Sequence, residues 1–114
     1  MGAANKSPSP IPDQTLAEIV RRLIDAYQPE RIYLFGSRAR NDFGADSDFD
    51  LLVVVSDSSS PERKRSRLAY KVLRGTGVAT DVLVWTEEAF DRRLHLKASL
   101  PYAVVAEGKL LYAS

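Results

Sequence analysis

The spacing of apolar positions divides the chain into helical and extended segments. Leu16, Ile19, Val20, Leu23, Ile24 and Tyr27 fall on one stripe at helical spacing, which predicts an amphipathic helix ending before Pro29. Thr15-x-x-Glu18 has the form of a capping box at its start. Arg31 to Phe35 reads as a first strand. Leu51 to Val55, LLVVV, is the unbroken apolar run of a central strand covered on both faces, so the sheet needs helices on both sides. After a polar linker over Ser56 to Ser60, Ser60-Pro61-Glu62 combines a cap, a proline at the first helical position and an acid in the first turn. Leu68, Val72 and Leu73 supply that helix with a buried stripe, and Gly75 or Gly77 its stop.

Val78 to Trp85, VATDVLVW, is rich in β-branched residues and reads as a third strand. Thr86-Glu87-Glu88 opens a helix through Phe90 and Leu94 toward His95. Beyond Leu100-Pro101, a short helix over Tyr102 to Glu107 stops at Gly108, and Leu110-Leu111-Tyr112 closes the chain as a short strand or docked tail. The fold class is therefore α/β (α+β), a small sheet flanked by helices. The opening MGAANKSPSPIP is small, polar and proline-rich and cannot pack a core. It predicts a flexible tail over residues 1–12 ahead of a single domain over 13–114.

Composition narrows the chemistry. A chain of 114 residues holds one domain, and a formal net charge of +1 gives no general pull toward nucleic acid. With no cysteine, disulfides, thiolate catalysis and cysteine-based zinc sites are excluded. The single histidine, His95, leaves oxygen ligands as the plausible metal chemistry. No apolar run approaches the roughly 18 residues of a membrane-spanning helix, and the N-terminus lacks the apolar centre of a signal peptide. Lys6 stands where a myristoylation motif wants Ser or Thr. The expectation is a soluble cytoplasmic protein.

The stretch LFGSRARNDFGADSDFDLLVVV, from Leu34 to Val55, concentrates the reactive residues. Asp48 and Asp50 sit on alternate positions of an extended segment and so leave one face of the sheet together. An arginine could neutralise the pair, but two hard carboxylates at a strand end also suit Mg²⁺. Ahead of them, Gly36-Ser37 breaks the first strand, with Ser37 placed to cap a helical turn through Arg38-Ala39-Arg40. Backbone N–H groups at such a turn attract anions, and Gly36 would let a phosphate approach the main chain. Phosphate cradle and metal carboxylates side by side point to chemistry on a nucleoside triphosphate. Asp42 and Asp46 lie in the loop NDFGADS, where aspartates serve more often as turn formers. Asp81 is a carboxylate in a strand expected to be buried, which demands an ion pair or a metal. Arg63, Lys64, Arg65, Arg67, Lys71 and Arg74 crowd the helix after the linker. They form either a solvated face or a docking surface for an acidic partner or a triphosphate. His95 and Trp85 read as surface and packing residues.

Gly36-Ser37-x-Ala39 followed by Asp48-x-Asp50 within SDFDLLV resembles the signature of the DNA polymerase beta-type nucleotidyltransferase superfamily. The resemblance is to its smallest form, the minimal nucleotidyltransferase (MNT) proteins, as in the MntA-like antitoxins of HEPN/MNT toxin–antitoxin pairs. Asn41 stands where the family commonly has a second glycine. The resemblance implies a small mixed sheet of the nucleotidyltransferase fold, with Asp81 as a third carboxylate beside Asp48 and Asp50. It implies two Mg²⁺ ions on these three aspartates, ATP as co-substrate, and phosphate contacts from Gly36, Ser37, Arg38 and Arg40. It further implies transfer of AMP to a hydroxyl, a tyrosine, of a HEPN-type helical toxin, in a hetero-oligomer with no membrane and no nucleic-acid substrate. The alternatives are an acceptor that is a small molecule or an RNA end held by a separate subunit, or an inactive antitoxin that acts by binding alone.

Overall fold

The computed structural model of the chain describes residues 8–11, 13–36 and 49–114. Helix α1 spans Gln14–Tyr27 and is capped by Asp13, whose carboxylate accepts from the Leu16 N–H at 3.0 Å. The cap therefore lies two residues ahead of the expected Thr15 box. Glu18, the other half of that box, instead accepts from the Arg21 and Arg22 side chains at 2.6 and 2.9 Å. Once Asp13 satisfies the first-turn donor, Thr15 falls inside the helix. Gln28, in the left-handed region with φ 49°, ends it by donating its N–H to Ile24 O.

Four strands follow in the spatial order β3-β2-β1-β4, with β1 at Arg31–Phe35, β2 at Phe49–Val55, β3 at Thr80–Thr86 and β4 at Lys109–Ala113. β1 runs antiparallel to β2 and β4, whereas β2 and β3 are parallel. A parallel pair needs a crossover. Here residues 56–79 provide it, through a 3₁₀ turn at Glu62–Lys64 and helix α2 at Arg67–Val72. The single helix expected from Ser60 is thus broken, with Arg65 extended at φ −123°, ψ 143°. The cause lies in α1. The fully buried Tyr27 donates its hydroxyl to Arg65 O at 2.5 Å and accepts from Ala69 N–H at 2.8 Å. That hydroxyl takes up backbone groups at the junction where a continuous helix would pass.

Both faces of the sheet are covered, as the apolar β2 run requires. Ile32, Leu34, Leu51, Val53, Val55 and Val82 point into one core with the α1 stripe and with Ala69 and Leu73. Tyr33, Leu52, Val54 and Leu110 point the other way, onto Phe90 of α3 (Glu87–Arg93) and Val104 and Val105 of α4 (Leu100–Glu107). Thr86 caps α3 and Ser99 caps α4 through their side-chain oxygens. β4 resolves the closing segment as a strand on the free edge of β1. Ahead of α1, Ser9 donates its N–H to Leu110 O at 2.7 Å and Ile11 packs against the α1 core.

Candidate active site

Alternation along β2 sorts its side chains. Phe49, Leu51, Val53 and Val55 enter the α1 core, so Asp50 leaves on the opposite face beside Leu52 and Val54. In register, Asp50 lies between Phe35 of β1 and Asp81 of β3. Adjacent strands sit about 4.8 Å apart, so the two carboxylates project side by side from neighbouring backbones. Asp50 is half-buried and Asp81 exposed.

The exposure of Asp81 corrects the expectation of a buried carboxylate. β3 is an edge strand, and α3 and α4 cover the face only from Leu52 and Trp85 onward. Asp81 and Leu83, the latter 42% exposed, are left open. Among the described residues Asp81 forms no ion pair with an arginine. Two like charges on adjacent strands repel unless a cation stands between them. Their hard oxygen donors fit Mg²⁺, and Asp50 and Asp81 would hold it. Among the described residues no group of three His, Cys, Asp or Glu side chains could bind a metal, while the expected third ligand, Asp48, lies outside them. Ser37, Arg38, Arg40, Asn41, Asp42 and Asp46 also lie outside the described residues.

Gly36 is described, and it has a contact that the sequence does not show. Its φ is +77°, which favours glycine, and a Cβ built on it would lie 2.5 Å from Asp50 Oδ2. The clearance above Gly36 is thus taken by the Asp50 carboxylate. The bend that ends β1 seats the acid of the neighbouring strand. The turn taken alone does not announce this contact. The signal that would have found the contact is the hairpin register that sets Phe35 opposite Asp50.

The other singled-out residues lie apart from this pair. His95 is exposed. Trp85 is half-buried in the α3/α4 core, with the Arg93 guanidinium 5.8 Å above its ring. The profile of the nucleotidyltransferase domain matches residues 14–106, a span that includes both β2 and β3. The chain belongs to the nucleotidyltransferase-domain family. A candidate protein adenylyltransferase of Methanocaldococcus jannaschii is 31% identical to this nucleotidyltransferase over 102 residues, which is 88% of this chain and 97% of the relative. Among solved structures, a candidate nucleotidyltransferase of Sulfolobus solfataricus superposes with a TM-score of 0.57 at 25% identity, covering 88% of this chain and 78% of the other. A mutant of the MntA–HepT toxin–antitoxin complex, carrying two aspartate-to-glutamate changes two positions apart, superposes with a TM-score of 0.58 at 22% identity. That match covers 86% of this chain and 73% of the other. The mixed four-stranded sheet with helices on both faces is the nucleotidyltransferase fold, and the protein is a nucleotidyltransferase.

Proposed function

We propose that this nucleotidyltransferase is an antitoxin that transfers AMP from ATP to a hydroxyl, a tyrosine, of a HEPN-type helical toxin in the cytoplasm. The observation that carries the reading is the in-register pairing of Asp50 with Asp81 on an open sheet face beside Gly36. An open carboxylate pair admits a second macromolecule, and a hydroxyl presented by a protein needs such access. The relative named as a candidate protein adenylyltransferase supports a protein acceptor. The toxin–antitoxin neighbour, altered at two aspartates with the spacing of Asp48 and Asp50, supports the choice of partner.

In the reaction the acceptor oxygen attacks the α-phosphorus of ATP, a P–O bond forms, and the bond to the bridging oxygen breaks with its electron pair leaving on pyrophosphate. Asp81, the more exposed of the pair, takes the proton from the acceptor hydroxyl. Asp50, seated against Gly36, keeps its carboxylate beside Asp81, where it would hold the cation that neutralises the triphosphate. Ser37, with the main chain at Gly36 beside it, contacts the β- or γ-phosphate, and Arg38 and Arg40 contribute further charge. Mg²⁺ on Asp48, Asp50 and Asp81, two ions in all, would lower the pKa of the hydroxyl and screen the leaving pyrophosphate.

The experiment incubates the purified protein with ATP labelled at the α-phosphate, Mg²⁺ and the product of the adjacent reading frame. Label on a tyrosine of that product is the expected result. Label on RNA or on a small molecule replaces the acceptor, and a tight complex that carries no label replaces catalysis with inhibition by binding.

A further inference from the structure

A second surface of the molecule is built for contact and is not used by the carboxylate pair. Between the 3₁₀ turn and α2 lies a groove of about 810 Å³. Four cations line it, Arg65, Arg67, Lys71 and Arg74, all exposed. None of the four forms an ion pair among the described residues. Its floor is apolar, from Pro61, half-buried Leu68 and the ring of Tyr70, which is 53% exposed. Exposed tyrosine among arginines is the composition of protein contact hot spots.

The backbone under the groove is held in place from α1. Arg22 donates to Val72 O and Arg74 O at 3.2 and 2.9 Å, Arg63 donates to Ala26 O at 3.2 Å, and Tyr27 donates to Arg65 O. The wall is therefore ordered before anything binds, which reduces the entropy lost on association. Its side chains keep their charges for a partner.

Position decides what that partner is. α2 packs on the α1 face of the sheet, whereas Asp50 and Asp81 project from the other face. The groove therefore cannot hold the triphosphate that the carboxylates act on. A nucleic-acid strand is also a poor match: Glu62 stands in the same wall, and the whole chain carries a net charge of only +1. An acidic protein segment with apolar side chains meets both the four cations and the apolar floor. α2 returns the chain from the end of β2 to the start of β3, so its Lys71 and Arg74 end lies at the end of the sheet where Asp50 and Asp81 stand.

We propose that the groove lined by Arg65, Arg67, Lys71, Arg74 and Tyr70 docks an acidic amphipathic segment of the protein acceptor, which reaches Asp81 around the open β3 edge. The inference rests on the reading of a protein acceptor and deepens it. The test uses the full chain and three fluorescein-labelled probes in anisotropy titrations. They are a 15-residue helical peptide of Glu and Leu with its apolar positions on one face, the same peptide with Gln for Glu, and a uridine 15-mer.

The acidic peptide is expected to bind, at least tenfold tighter than the Gln peptide and the uridine 15-mer, and to weaken as salt is raised from 50 to 300 mM. Arg67→Glu with Lys71→Glu should weaken it at least tenfold, and Tyr70→Ala at least threefold. Asp81→Asn should leave binding unchanged while transfer is lost, so failure of docking and failure of catalysis are read separately. Equal binding of the Gln peptide, tighter binding of the uridine 15-mer, no binding of the acidic peptide at 100 µM, or indifference to the charge reversals would each overturn the proposal. The salt titration on the unaltered protein decides the matter even if the charge-reversed variant fails to fold.

Discussion

Gly36→Ala isolates the contact that seats Asp50. Two effects are folded into this substitution. The backbone at φ +77° disfavours any L side chain, which costs about 1–2 kcal/mol. The new methyl would also stand 2.5 Å from Asp50 Oδ2, where ordinary contact begins at 3.4 Å, so the carboxylate must withdraw by about 0.9 Å. Because the clash is with the end of a side chain, the acid can swing aside with little further loss of stability. What changes is its position, and a misplacement of this size costs about 10²-fold in rate.

Gly75→Ala provides the control. Gly75 has φ +86° but nothing within 4 Å of a built Cβ, so it carries the backbone penalty alone. Urea unfolding of both variants, beside initial rates of AMP transfer from labelled ATP, separates the two effects. The expected outcome is similar destabilisation in the two variants, with transfer reduced about a hundredfold only in Gly36→Ala. Transfer by Gly36→Ala within threefold of the unaltered protein, or an equal loss in Gly75→Ala, would refute the assignment of Gly36 as the seat of Asp50.

Asp81→Asn should leave stability within about 0.5 kcal/mol, because the side chain is exposed, yet reduce transfer by about 10²-fold or more. Thermal melts and label transfer check the two halves. Tyr27→Phe removes a hydroxyl that serves Arg65 O and Ala69 N–H and should cost about 1–3 kcal/mol in urea unfolding. Burial also pushes the Tyr27 phenol up to about 12 from 10.0, so its contribution is full below pH 10 and lost as pH rises toward 12. The phenylalanine variant should lack that alkaline loss. At the acid end, hydrogen bonds from Arg21 and Arg22 hold Glu18 down at about 2 from 4.5. Its support of α1 is complete above pH 4.5 and lost as pH falls toward 2. Glu18→Gln should flatten melting temperature against pH across that window.

Local signals are legible in the sequence and distant ones are not, for a physical reason. The limits of β1 at Arg31 and Phe35, the cap of α3 at Thr86 and the stop of α4 at Gly108 each depend on a few neighbouring residues. The break at Arg65 depends on Tyr27, 38 residues earlier in the chain, and no local pattern announces it. The exposure of Asp81 follows from the edge position of β3, which only the strand order β3-β2-β1-β4 reveals. At the site, strand patterning places Asp50 and Asp81 on separate strands, and the β2/β3 register sets them side by side, while their roles in the reaction are proposals. That Gly36 answers to Asp50 became visible only through the β1/β2 register. The assignments to Ser37, Arg38, Arg40 and Asp48 lie outside the described residues and stand as proposals.

The pairing of β2 with β3 carries a final consequence for how such a chain can evolve. The spacing of the two acids comes from main-chain hydrogen bonds, a lattice every sequence shares, and not from the shapes of particular neighbours. Residues 56–79 between the strands can then be lengthened, shortened or recharged while the carboxylates keep their separation. Divergence is free to remake the surface that selects an acceptor without retuning the chemistry performed on it.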